Sequence, residues 1–314
     1  MRRVLCLAIS IAVVIGPHAW GAKYAGESFK LGASARPLGF GGAYVALASD
    51  PSSVYYNPAG LAQVTSTQVL FLHSETFGSL INQDFVAYSH PMNFGERPGA
   101  LGIGLYRLGG GGILITGWNA DSSRLVVKSE ESHYDYLLQL GGGYKVNKRW
   151  RAGGSAKVIL RSLAGNSAWG LGLDLGAQYD VFPALTLGLT AADITSSFIS
   201  YDNGTKQSIL PSVKLGGVYS YLHQWFTARI VADGEFLFEG RDKTAQMSLG
   251  AVSLDTHWGG ELAYENLVFF RAGSDIGRLT LGVGVGFNRF RLDAAFMDHK
   301  DLDNTYRLSL NIAL

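Results

Sequence analysis

The chain has a single cysteine, Cys6, which falls early in a stretch that reads as an export leader. Without that leader it would carry no disulfide, no Cys-based metal site and no thiol nucleophile. Charge is scarce too: 16% of residues are charged, against about 25% in a typical soluble domain. Net charge is only +1, so there is no electrostatic basis for nucleic-acid binding. No apolar run reaches the roughly 18 residues of a membrane-crossing helix. The seven histidines contain no His-Glu-x-x-His and no pair at metal-ligand spacing, which leaves a metalloenzyme without ligands. Gly109-Gly110-Gly111-Gly112 lacks the Lys-Ser/Thr of a phosphate cradle. No catalytic residue, metal or cofactor is expected, and the chain reads as a non-enzyme.

What remains is 47% hydrophobic, with 41 glycines. Arg2 and Arg3 precede the apolar Val4 to Ile15, and Ala19-Trp20-Gly21 offers a small-x-small cleavage site. Residues 1–22 are therefore expected to be a cleaved signal peptide.

Beyond residue 66, short segments alternate apolar and polar with period two. Leu279, Leu281, Val283, Val285 and Phe287 share one face; Thr280, Gly282, Gly284 and Gly286 share the other. Trp169 to Tyr179, Phe226 to Phe238 and Tyr306 to Leu314 behave alike. The pattern predicts strands near 67–76, 83–91, 99–108, 132–145, 150–162, 168–179, 185–193, 211–221, 224–239, 245–264, 267–274, 278–287, 289–297 and 304–314. Asp255-Thr256-His257 is the one place where a break is suspected. Fourteen is an even number, as a single-chain bacterial barrel requires. Connections after even-numbered strands are short, such as Asn288-Arg289, whereas 109–131 and 194–210 read as long loops. Short turns on one side and long loops on the other is the outer-membrane asymmetry. Tyr144, Trp150, Tyr179, Trp225 and Tyr264 near strand ends suit interfacial girdles. The chain ends on Leu314 rather than the usual aromatic, which reads as a degenerate end signal. The expected fold class is all-β: a transmembrane antiparallel outer-membrane barrel of about fourteen strands, spanning 67–314.

Before the strands lies a segment that does not alternate, broken by Pro37, Pro51 and Pro58. Gly32-Ala33-Ser34-Ala35-Arg36-Pro37-Leu38-Gly39-Phe40-Gly41-Gly42-Ala43-Tyr44-Val45-Ala46, then Asp50 and Tyr56-Asn57-Pro58-Ala59-Gly60-Leu61, resembles the opening of FadL-like outer-membrane barrels, in particular the PorV/PorQ branch. The resemblance implies that residues 23–66 form a hatch folded into the lumen. Arg36, Gly39, Gly41, Gly42, Asp50, Asn57, Pro58 and Gly60 are then the candidate hatch or gate residues. Arg36 and Asp50 are expected to latch to lumen charges, and Asn57-Pro58 to hold the chain as it enters the first strand. Strand parity places Lys157, Arg161, Asp174, Arg229, Asp233, Glu235, Glu261, Arg271, Arg291, Asp293 and Arg307 in the lumen.

The family implies two roles. One is passive uptake of small hydrophobic molecules, fatty-acid-like or aromatic, through a monomer in the bacterial outer membrane. The other is a PorV-like shuttle or docking component of a protein secretion or surface-attachment system. Its partners would be the lipid bilayer and a hydrophobic ligand in the first case, secretion proteins in the second.

Overall fold

The computed structural model describes residues 25–76, 80–163, 165–241, 245–299 and 303–314. The signal-peptide expectation for 1–22 lies outside them. Fourteen antiparallel strands close on themselves. They are β1 Gln68–Thr76, β2 Ile81–Phe94, β3 Arg97–Trp118, β4 Leu125–Lys145, β5 Trp150–Leu163 and β6 Asn166–Phe182. β7 runs over Leu185–Ala192 and resumes at Ser197–Tyr201; β8 runs over Lys206–Ile209 and resumes at Ser212–Leu222. β9 Phe226–Leu237, β10 Val252–Tyr264, β11 Val268–Asp275, β12 Arg278–Phe287, β13 Phe290–Met297 and β14 Thr305–Ala313 complete the wall. A short extra strand, Met247–Leu249, folds back on the start of β10. The seam joins first strand to last, with Gln68 opposite Ala313 and Glu75 opposite Tyr306.

Alternation determines which way each side chain points. Leu279, Leu281, Val283 and Val285 on β12 are half exposed on the outside, while Thr280 is buried inside. The same holds for Leu101, Ile103 and Leu105 on β3. An exterior of this kind suits hydrocarbon, not water. Aromatic pairs mark the short-turn rim: Trp150 with Tyr179 at 4.6 Å and Trp225 with Tyr264 at 6.0 Å between ring centroids.

Three expectations need correction. Residues 109–131 are not a loop: β3 and β4 continue as a paired ribbon to Trp118 and Leu125. The glycine run accommodates a bulge between Gly110 and Ile113, with Gly112 at φ +77°, a conformation that costs glycine little. Part of 194–210 is likewise strand, Ser197 pairing with Ile209. Asp255-Thr256-His257 sits in unbroken strand opposite Glu235 to Asp233; the break is the turn at Gly250, φ +66°.

Residues 25–66 contain only short helical turns: Glu27–Phe29, α1 Ala35–Gly39, α2 Ser53–Tyr56 and Pro58–Gln63. They pack against inward-facing side chains of the wall. Phe29, Ala33, Val54, Leu61 and Val64 join Phe85, Tyr106, Leu137, Ile159 and Ile199 in one buried apolar cluster.

Candidate functional site

The functional candidates are the segment 25–66 and the wall residues that hold it. Near the long-loop end the wall grips its carbonyl groups. Gln83 Nε2 donates to Gly32 O and Arg307 Nη2 to Leu31 O. Arg161 Nη2 donates to Ser28 Oγ at 2.9 Å and Ala25 O at 3.2 Å, while its Nε pairs with Asp135 at 2.8 Å. Within the segment, the Tyr55 and Tyr56 hydroxyls accept from Gly32 N (3.1 Å) and Ala33 N (2.8 Å).

In the middle, a buried carboxylate and two buried amides position the segment. Asp233 Oδ2 accepts from Tyr44 N at 2.7 Å and from Val45 N at 3.0 Å. Gln178 Nε2 donates to Val45 O, Ala46 O and Ala48 O, at 3.2, 3.3 and 3.0 Å. Asn57 Nδ2 donates to Val45 O (2.8 Å) and Ala177 O (3.2 Å), and its Oδ1 caps the Pro58–Gln63 turn by accepting from Ala59 N.

The third hold is bare backbone. A Cβ on wall residue Gly273 would lie 2.6 Å from Gly41 N, one on Gly259 2.7 Å from Phe40 O, and one on Gly188 2.6 Å from Ala46 N. Gly153 and Gly176 meet Pro58 and Ala59 in the same way, and Gly282 meets Gly39 Cα at 3.0 Å. The wall thus meets the segment's backbone at glycines, closer than a wall side chain would allow, and at Gly273–Gly41 and Gly282–Gly39 both partners are glycine. Gly41 and Gly42 sit at φ +70° and +86°. Gly60 seats against Ala48 O within the segment itself.

Arg36 and Asp50 meet each other instead of the wall. Their atoms approach to 3.6 Å, bridged by Tyr44, whose hydroxyl donates to Asp50 Oδ2 at 2.6 Å and accepts from Arg36 Nη1 at 2.9 Å. Burial pushes the Tyr44 phenol well above its ordinary pKa, against the pull of Arg36, so it stays protonated and able to donate.

The lumen charges fall into separate groups. Lys157 Nζ reaches Asp174 (2.7 Å) and Asp193 (2.6 Å), where the break in β7 holds Asp193 at φ +54°. Glu235 pairs with Lys214 at 2.8 Å and lies 3.7 Å from His257, whose Nδ1 is 2.8 Å from Asp275 and 3.1 Å from Gly41 O. Glu261, fully buried, sits among Arg229 (2.5 Å), Arg271 (2.7 Å) and Arg291 (3.7 Å); Asp293 takes Arg271 at 2.8 Å and Arg291 at 3.0 Å. Glu261→Gln is therefore expected to lower barrel stability by about 3–5 kcal/mol, since it strands buried guanidinium groups. Urea unfolding in lipid vesicles measures this; an unchanged midpoint would mean the network carries no stability.

Tyr44, Asp135, Asp193, Lys214, His257 and Asp275 escaped the sequence reading. Asp135 and Lys214 share inward parity with Leu137 and Ser212, so strand parity could have found them. Asp193 lies at a strand break that periodicity does not register.

Two cavities lie at the short-turn end. One of about 500 Å³ is lined by Arg36, Arg229, Arg291, Glu265, Leu267 and Phe269 among others. A second of about 190 Å³ shares Arg36 and Arg291 and reaches Asp50, Asp293 and Ser309.

No protein-family model and no curated protein matches the chain by sequence. Solved structures do match. The toluene transporter TbuX of Ralstonia pickettii superposes with TM-score 0.58 at 13% identity, covering 90% of this chain and 98% of its own. CymD, a monoaromatic hydrocarbon channel, gives 0.60 at 14% identity over 90% and 98%, and a Pseudomonas aeruginosa FadL homologue gives 0.55 at 12% over the same shares. The barrel fold is theirs. At these identities the likeness is one of fold, and it does not reach the PorV/PorQ branch.

Proposed function

We propose that the protein is a monomeric outer-membrane channel for small hydrophobic molecules, with residues 23–66 as its gate. One observation carries this reading. Among buried polar groups such as Gln83, Asp135 and Lys157, the inner wall along β1 to β5 carries an apolar stripe, with Leu70, Leu72, Phe85, Tyr106, Leu137 and Ile159 all buried inside. A water-filled porin has a polar interior; an apolar inner stripe instead suits a solute that loses about 0.8 kcal/mol per CH₂ on entering water. That stripe is covered by Phe29, Val54 and Leu61 of the segment, so a path along it opens when those side chains move. The wall from β9 to β14 carries the arginine and carboxylate network instead, and residues on both sides hold the segment's backbone, Gln83 and Arg161 on one and Asp233 and Arg307 on the other. That the fold's neighbours include a toluene transporter and a hydrocarbon channel agrees with this reading. Nothing in the fold or its neighbours supports the docking role.

The test is uptake of radiolabelled toluene, with sucrose as control, by cells lacking their own hydrocarbon channels. Expression is expected to raise toluene uptake alone, and Phe85→Asp to lower it by roughly tenfold, since the path would then carry a buried charge. Uptake no greater than in cells with empty vector ends the reading.

A further inference from the structure

We infer that the short-turn mouth of the barrel is an oxyanion-binding site formed by Arg36, Arg229 and Arg291. The inference goes beyond hydrophobic passage and does not depend on it. All three arginines line the 500 Å³ cavity, and Arg36 and Arg291 also line the smaller chamber behind it. The cluster they belong to is out of balance. Four cations, Arg36, Arg229, Arg271 and Arg291, face three carboxylates, Asp50, Glu261 and Asp293. At the cavity rim Arg289 and Glu265 cancel. One positive charge is left without a counter-charge in a cavity whose neighbouring Arg271 is fully buried. An uncompensated charge in such a place is costly.

Hydrogen-bonding capacity is left over as well. Arg36, which lines both cavities, has its buried Nε without a hydrogen-bond partner among the described residues. Guanidinium forks match the geometry of carboxylate and phosphate oxygens, so a bound oxyanion supplies the missing charge. The lining is not wholly polar: Leu267 and Phe269 flank the arginines, with the Arg291 guanidinium stacked 4.0 Å over the Phe269 ring. This favours an anion that carries an apolar body, an organic carboxylate or a phosphate ester, over a small hydrated ion.

Benzoate and benzamide share a ring and differ in the charge of the head group. Isothermal titration of the full-length barrel in non-ionic detergent at low salt is expected to show benzoate binding roughly tenfold more tightly than benzamide. Arg291→Gln and Arg229→Gln are expected to remove that preference, and Arg291→Lys to restore part of it, with assembly of each barrel checked by heat-modifiable migration. Inorganic phosphate as competitor separates the sources. Displacement of benzoate shows a site for oxyanions in general, and failure to displace it shows one for carboxylates. Equal binding of benzoate and benzamide overturns the site while leaving hydrophobic passage standing. A preference for benzoate that survives both glutamine variants places the anion elsewhere and overturns it too.

Discussion

Replacing Gly273 with leucine is expected to unseat residues 39–45 without altering a residue of the segment itself. The new Cβ would lie 2.6 Å from Gly41 N and 2.6 Å from the Phe40 carbonyl carbon, both backbone atoms with no rotamer to yield. The Cβ would also lie 2.7 Å from the Trp258 carbonyl of the wall, but Trp258 and Gly273 are held in the β10–β11 ladder, so the segment is the softer partner. An overpacking cost of about 3 kcal/mol shifts the ratio of seated to unseated segment by roughly a hundredfold. Single-channel recording in planar bilayers should then show conductance steps absent from the wild type. Gly217→Leu is the control: Gly217 lies on the outer face between Leu215 and Tyr219, and a leucine there meets hydrocarbon. If Gly273→Leu assembles normally yet conducts like the wild type, backbone contact at glycine is not what seats the segment.

Asp233→Ala is expected to loosen the same region by a different route. The carboxylate is the acceptor for both Tyr44 N and Val45 N, and its loss leaves two buried donors unsatisfied. At about 1–3 kcal/mol for each orphaned donor, amide exchange at Tyr44 and Val45 should accelerate by roughly thirtyfold or more. Strand amides in β9 and β10 should keep their protection, because the ladder from Phe226 opposite Tyr264 to Leu237 opposite Ser253 does not involve the side chain. Asp233→Asn keeps one acceptor oxygen and should fall between. Hydrogen exchange followed by mass spectrometry reads all three. Equal exchange in wild type and Asp233→Ala would show that the segment is held without this carboxylate.

The wall was legible from alternation because lipid outside and a filled lumen inside impose opposite demands at every second residue. Leu279 to Phe287 shows it plainly, and all fourteen strands follow from that pattern and from turn residues such as Asn288. The ribbon beyond Gly109 was not legible, since a glycine run signals a loop and only pairing with β4 makes it strand. The inward glycines were visible as the small partners in the alternation, but not their purpose. Gly273 meets Gly41, and Gly153 meets Pro58, across stretches of chain that no local pattern connects. Arg36 and Asp50 were expected to reach for wall charges; Tyr44, 8 and 6 residues away from them, lies between the two and satisfies both. The apolar stripe inside β1 to β5 was hidden for a simpler reason. In a strand that is greasy on both faces, alternation fades.

The seam between β1 and β14 has a consequence for the order in which the molecule is made. Of the residues that close the cylinder, Arg307 to Ala313 against Gln68 to Ser74, the first set is made after every other strand, whereas the segment that fills the lumen is made before any of them. Its contacts with the wall span up to 276 residues, as between Leu31 and Arg307. Contacts so distant in sequence form slowly. A segment still outside when the seam zips would have to thread through an end of the finished barrel, past the side chains that line it. Biogenesis is therefore most direct when the strands wrap around a core that was there first, much as a mould is closed on its casting.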